Sequence, residues 1–422
     1  MRKNIIYICF ALVAMSSCTG EYLNPGTASE QQVITSQNGL LSMVNGLQQK
    51  FTTSRAGTIY AAVTADGLTT KQLKVLNAGN TDEVLLESGG SALINSNSII
   101  NNLWSQSHLT KANADIVIAN ANNAPDAGIK SGILAYAHTY RALALGTLAT
   151  FWEKAPIAVG QNAAFNTREE VLKSAIASLE TAATTISTTP PSAAFNSAVV
   201  GSINIGNTIQ ALLARYNLML GNNDAALAAA KKVDLAVKSA YAFDDISPNP
   251  IFFNTFGNRN VTEPNLDFGL STTLAPAAED GRRGFYYSTG GTKNLGNAGF
   301  YNANTMSIPV YLPGEMTLII AEANARKGNI ADAITSLNAV LTKSSDTWGV
   351  TAKVSAYAGE QTQSAVLNEI YRQRSIELFL SGLRLEDSRR FGRAATERNR
   401  NWYPYPLSER NNNTSTPADP AN

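Results

Sequence analysis

Two stretches of this chain share one plan at a fixed separation, and that repetition narrows the available folds more than any other feature. The stretch "NTIQALLARYNLMLGNNDAALAAAKKV" (207–233) has apolar residues at three- and four-residue intervals, a Gly-Asn-Asn-Asp break and an Ala-rich second half. The stretch "EMTLIIAEANARKGNIADAITSLNAVL" (315–341) repeats it, with Gly328 and Asn329 at the break. Aligned on their breaks, the two agree at an offset of 107 residues: Leu213 with Ile320, Ala214 with Ala321, Gly221 with Gly328 and Ala226 with Ala333. Each reads as a helical hairpin, with Asp224 placed to cap the second helix of the first. Small residues at the shared positions let paired helices approach closely.

The spacing resembles the tetratricopeptide repeat, in which a Leu-Ala pair, a turn glycine and a later alanine fall at these intervals. Other stretches extend the pattern. "NNLWSQSHLTKANADIVIANANN" (101–123) and "GILAYAHTYRALALGTLATFWEKAP" (132–156) form another antiparallel pair, with Pro125 and Pro156 marking their ends. "TREEVLKSAIASLETAATTI" (167–186) opens with a capping box from Thr167 to Glu170. "SAVLNEIYRQRSIELFLSGLRLEDSRRFGR" (364–393) is helical with a break near Gly382. The expected fold class is mainly α, a tetratricopeptide-like scaffold of stacked helical hairpins at about 101–238 and 311–393.

Two regions depart from it. From Tyr241 to Tyr311 the chain concentrates aromatics at about twice its overall density, with many glycines and prolines, so no helix of ordinary length fits there. "PIFFNTF" (250–256) and "RRGFYYSTGG" (282–291) read as strands or structured loops. The polar stretch 64–98 is a second loop-rich insertion. Insertions on a rigid frame are where function is usually carried.

The N-terminus sets the address. Arg2 and Lys3 precede an unbroken apolar stretch from Ile5 to Met15, followed by small residues and Cys18. This is the layout of a secretory signal, and it is too short to span a bilayer, which takes roughly 20 residues. "VAMSSCTG" resembles the lipobox of bacterial lipoproteins, with Met15 where leucine is usual. That resemblance implies cleavage after residue 17 and acylation of Cys18. Cys9 leaves with the signal, so the mature chain has no disulfide and no thiolate metal site.

Composition excludes several function classes. Lys and Arg number 33 against 32 for Asp and Glu, so no global field draws the chain to nucleic acid. The arginines between Tyr371 and Arg400 alternate with acids, Glu377 three after Arg374, Asp387 three after Arg384 and Glu386 near Arg389 and Arg390. Helix-surface ion pairing accounts for them. No HExxH, CxxC, GxSxG or GxxxxGK[ST] occurs. Glu279 and Asp280 are the only adjacent carboxylates beside the aromatic region, and adjacent loop carboxylates are more often solvated than catalytic. The chain is therefore read as a binding protein, not an enzyme, with no cofactor and no metal.

Taken in order, "EYLNP" (21–25), "LWSQSHLTKANADIVI" (103–118), "AYAHTYRALALGTLATFWEKAPI" (135–157), "ALLARYNLML" (211–220), "YLPGEMTLIIAEANARKGNIADAITSLNAV" (311–340), "IYRQRSIELFLSGLRLEDSRRFGR" (370–393) and "WYPYPLSE" (402–409) resemble the SusD/RagB family of Bacteroidetes outer-membrane lipoproteins. The likeness runs from Cys18 to about Glu409. It implies one domain over 18–422 in which an irregular lobe, at about 64–98 and 241–311, binds the ligand. It also implies a lid-like seat on a SusC-like TonB-dependent transporter, to which captured glycans, or in some members peptides, are delivered. The resemblance further implies that the membrane is met only through the lipid, with the protein exposed at the cell surface. Leu312 replaces a common arginine, "LNAVLTKSSD" (337–346) lacks the usual basic, glycine-containing turn, and "TGEYLN" after Cys18 is poor in the acids that mark surface export. The rival reading is an adaptor that binds protein through its repeats without a small ligand.

With the lobe as the implied binding element, the stretch from Arg282 to Asn302 concentrates the chemistry a sugar needs, flat apolar platforms edged by donors. Arg282 and Arg283 supply donors, Tyr286 and Tyr287 platforms, and Phe300, Tyr301 and Asn302 repeat the combination. In an extended segment only one of Tyr286 and Tyr287 would reach the ligand. Asp66, Thr69 and Asn80 would supply an opposing wall. The competing account is that these aromatics hold the lobe to the scaffold.

Overall fold

The computed structural model describes residues 30–287 and 299–421; Cys18 lies outside the described residues. Its principal helices are α1 Gln37–Thr52, α2 Thr58–Thr69, α3 Ser98–Asn120, α4 Ala127–Phe151, α5 Arg168–Thr188, α6 Ile205–Leu220, α7 Asn223–Ala230, α8 Pro313–Arg326, α9 Ile330–Leu341, α10 Gln363–Glu377 and α11 Arg384–Arg390. They pack in sequence order, α3 on α4, α4 on α5, α5 on α6, then α6/α7 on α8/α9, with α10 behind α8. The fold is mainly α, a stack of helical hairpins.

The two matched hairpins turn by the same hydrogen bonds. At the first, Gly221 is left-handed (φ 85°), its N–H donates to Leu218 O at 3.0 Å, and Asn222 N–H donates to Asn217 O at 2.9 Å. At the second, Gly328 has φ 83°, its N–H reaches Ala325 O at 3.0 Å, and Asn329 N–H reaches Asn324 O at 2.9 Å. This is the Schellman pattern, which needs the glycine conformation and satisfies the carbonyls left open at a helix end. Ala214, Ala226, Ala321 and Ala333 are all fully buried, as close approach requires. Asp224 does not cap α7: Asn222 holds the cap position without a side-chain bond to the helix N–H groups, and Asp224 instead pairs with Lys327 of the neighbouring hairpin.

Local signals elsewhere in the scaffold match. Thr167 and Glu170 make both halves of the capping box on α5. Gly382, at φ 78°, separates α10 from α11. α4 begins earlier than the periodicity indicates, because Asp126 accepts from Ile129 N–H at 2.7 Å and starts the helix directly after Pro125.

The arginines of 371–400 behave differently from the surface pairing expected of them. Arg374 is buried and reaches across to Asp387 with two bonds of 2.9 Å, rather than to Glu377. Glu386 accepts from Arg390 at 3.1 Å and from Arg168 of α5 at 3.0 Å, and Arg384 lies over the Tyr371 ring at 4.8 Å instead of pairing with Asp387. These carboxylates have left water, so each is met by a guanidinium from whichever helix supplies one in that interior.

The irregular lobe is fastened at two places. Its two ends meet in an antiparallel ladder, Ala240 with Pro309 and Tyr241 with Ile308. A second ladder joins it to the earlier insertion, Leu73 with Pro264, Lys74 with Glu263 and Val75 with Thr262. Neither region is loop throughout. The insertion contains the end of α2 and a helix at Thr81–Ser88, and "GRRGFY" is a helical turn (Gly281–Tyr286), not a strand, because Asp280 accepts from Arg282 N–H at 3.0 Å and caps it. One continuous apolar core runs from Leu40 and Val44 of α1 through α4 to Phe268, Tyr286 and Tyr301 of the lobe. Among the described residues no helix is long and apolar enough to cross a membrane.

Candidate functional site

The seam between lobe and scaffold takes up most of the residues expected to touch ligand. Arg282 is fully buried. Its Nε and Nη2 donate to Asp280 at 2.9 and 2.7 Å, its Nη2 also to Gln373 at 2.6 Å, and its Nη1 to Glu377 at 3.3 Å. Burial alone would lower its pKa, and the two carboxylates more than reverse that, so the guanidinium stays charged. Asp280 is consumed by this arginine while Glu279 faces solvent, so the adjacent carboxylates cannot act as an acid–base pair.

The tyrosines go the same way. Tyr286, Tyr287 and Tyr301 are 1%, 1% and 3% exposed. Their hydroxyls donate to main-chain carbonyls: Tyr286 to Glu377 O at 2.7 Å, Tyr301 to Leu380 O at 2.6 Å, and Tyr287 closely to Leu266 O. Tyr286 and Tyr287 both pack on Phe268, which meets Phe379 of the scaffold at 4.4 Å between ring centres. They are not platforms. Both turn inward because the helical turn ends there, so the alternation of an extended strand does not apply. Phe300 and Tyr301 form part of an internal wall between lobe and scaffold.

Asp66 and Thr69 are likewise interior. Asp66 accepts from Leu385 N–H at 2.7 Å and from Gln72 Nε2 at 3.0 Å, and Thr69 shares a 2.9 Å bond with the Tyr403 hydroxyl. Burial raises the Asp66 carboxyl to about 6 against the lowering effect of those donors. The Gln72 side chain also accepts from Leu380 N–H at 2.8 Å, and its main-chain carbonyl accepts from Asn265 N–H at 2.8 Å, so one buried residue ties α2, the loop before α11 and the lobe.

What remains at the surface is Asn80, Arg283 and Asn302, and a neighbourhood that the aromatic density pointed to without resolving. In the π-helical turn Phe252–Phe256, Phe253 is 57% exposed. Asn249, fully buried, builds that turn: its side chain accepts from Ile251 and Phe252 N–H, each at 3.1 Å, and donates to Phe300 O and Met306 O at 2.9 and 2.8 Å. The chain continues through exposed Asn258, Arg259 and Asn260. Asn260 meets the earlier insertion, accepting from Asn77 Nδ2 at 3.1 Å and, at its carbonyl, from Asn80 Nδ2 at 3.0 Å. The two loop-rich regions thus come together at Asn80, around asparagines rather than around Asp66 and Thr69. An outward ring on a segment that also exposes amides can bind a flat, hydroxylated molecule.

Residues 255–419 match the model of the SusD family. No curated protein sequence matches the chain. Among solved structures, a SusD superfamily protein from Bacteroides fragilis is 14% identical with a TM-score of 0.68, covering 91% of this chain and 99% of that one. A SusD homolog from Bacteroides thetaiotaomicron gives 14% and 0.68, covering 91% and 98%. A SusD-like carbohydrate binding protein from Bacteroides vulgatus gives 18% and 0.68, covering 85% and 84%. The chain thus carries the SusD family's pattern over its C-terminal part and shares the fold of SusD-like proteins over nearly all its length.

Proposed function

We propose that this protein captures glycans on the outer face of its lobe, without chemical change, and passes them to a SusC-like TonB-dependent transporter while held to the outer membrane by acyl chains on Cys18. The observation that carries the reading is Phe253, an exposed ring on a turn fixed from below by buried Asn249, from which the chain runs on through exposed Asn258 and Asn260 to the contact with Asn80. A protein of the same fold is described as carbohydrate binding, which supports a sugar as the ligand class. Arg283 and Asn302 stay at the lobe surface as further donors, whereas Arg282, Tyr286, Tyr287 and Tyr301 set the lobe's position.

Calorimetry against a glycan panel tests this with Phe253→Ala, Asn260→Ala and the buried-ring control Tyr301→Phe. For a glycan that the parent binds, Phe253→Ala is expected to cost about 2 kcal/mol or more, as truncation of a central aromatic does. Asn260→Ala should cost less, and Tyr301→Phe nothing. Unchanged affinity in a folded Phe253→Ala variant removes this face from consideration.

A further inference from the structure

Between scaffold and lobe lies a cavity of about 130 Å³. α2 contributes Thr58, Ile59 and Ala62, and the opposite side comes from Tyr301, Leu380 and the Tyr216 ring. Protein interiors pack tightly enough that spaces beyond the size of a water are few, and an apolar cavity of about 150 Å³ is known to take up benzene. This space is of that order.

Two observations separate it from loose packing. First, its walls are held open. Leu380 sits in the left-handed region at φ 57°, a conformation that costs a branched residue of its kind, and both its peptide groups are fixed, N–H to Gln72 Oε1 at 2.8 Å and C=O by the Tyr301 hydroxyl at 2.6 Å. In the same lining, the Tyr216 ring lies so close over Gly146 that a Cβ there would come within 2.2 Å of it, so the glycine is what gives the ring its seat on α4. Second, Thr58 is 1% exposed and its hydroxyl has no hydrogen-bond partner among the described residues. A buried hydroxyl left unmatched is costly. The charged residues of the lining, Arg215 and Glu315, meet each other in two bonds of 2.6 and 2.7 Å, and Arg215 also donates to Val310 O at 2.9 Å, so among the described residues the cavity offers no free charge to an anion.

We propose that this cavity is a second binding site, separate from the glycan face, for a small neutral molecule made of one apolar ring carrying a hydroxyl, with the ring against Ile59, Tyr216 and Tyr301 and the hydroxyl bonded to Thr58. Such a ligand bridges lobe and scaffold, so its occupancy strengthens the seam.

The probes are phenol and benzene, titrated into the purified full chain by calorimetry and followed in parallel by thermal unfolding. The parent should bind both saturably and melt a few degrees higher with phenol present. Thr58→Val, of the same shape, should weaken phenol about fivefold, the worth of one hydrogen bond, and leave benzene unaffected. Ala62→Phe should fill the space and abolish both; should it fail to fold, Thr58→Val carries the test. No saturable binding by the parent overturns the site, as does undiminished binding in folded Ala62→Phe. Equal effects of Thr58→Val on the two probes overturn the assigned hydroxyl partner.

Discussion

At Arg282, Tyr286 and Tyr301 the same residue types that make a sugar site make an interior joint, and burial decides between the two uses. A tyrosine whose hydroxyl reaches a main-chain carbonyl loses little on leaving water, and an arginine met by Asp280, Gln373 and Glu377 retains its charge. Asp66 is less well provided for: it is fully buried and takes hydrogen bonds, but no cation lies in ion-pair contact with it among the described residues. Arg384 acts on it from a distance, and Tyr403 is the other titratable group that feels it. Its carboxyl rises from 3.8 to about 6. A folded-state value above the unfolded one means that protonated Asp66 favours the fold. The stabilisation is complete below pH 3.8 and is lost as pH climbs through about 6. Urea unfolding of the parent and of Asp66→Asn across that window should show the parent losing up to about 3 kcal/mol relative to the variant. Parallel curves would show that Asp66 does not titrate this way.

At the scale of elements, the paired hairpins share a turn whose glycine is required by backbone conformation alone: a Cβ at Gly328 would meet nothing within 4 Å, yet φ is 83°. Gly328→Ala should therefore cost about 1 kcal/mol or somewhat more by denaturant unfolding, with no change in the slope against denaturant. Asn, which tolerates the left-handed region, should recover part of the loss. These hairpins were legible because every determinant lies within a few residues: apolar spacing, the turn glycine, the capping box of Thr167 and Glu170. The seam was not legible, since Tyr286 is fixed by a carbonyl 91 residues away and Tyr301 by one 79 away. Nothing local distinguishes a ring that will be buried from one that will face solvent. Phe253 shows the reverse case, one of three phenylalanines in "PIFFNTF" with only its environment to set it apart. For the arginines, helical spacing gave the right chemistry and, at Glu386 with Arg390, the right partner, while Arg374 and Arg384 turn elsewhere because other groups compete once the segment is interior.

For the whole molecule, the acylation proposed at Cys18 is a separate matter from the fold. Acyl chains on its sulfur and amino group would contribute about 0.8 kcal/mol per buried methylene, enough together to make release negligible. Cys18→Ala should move the protein from the membrane fraction to the soluble one after a salt and carbonate wash, with glycan binding intact. Retention on the membrane would mean that another contact holds it there. A large barrel recovered with the parent under mild detergent, and not with the variant once the membrane is removed, would further tie capture to import.

The seam has a consequence for how such a protein could be re-engineered. Tyr286, Tyr287 and Tyr301 grip main-chain oxygens, and Asn249 holds its turn through peptide groups. None of these grips reads the identity of a side chain at the exposed rim. The Phe253 position is thus interchangeable in the way an antibody loop residue is: its outward ring can be rewritten for a different sugar while the mounting beneath keeps its shape.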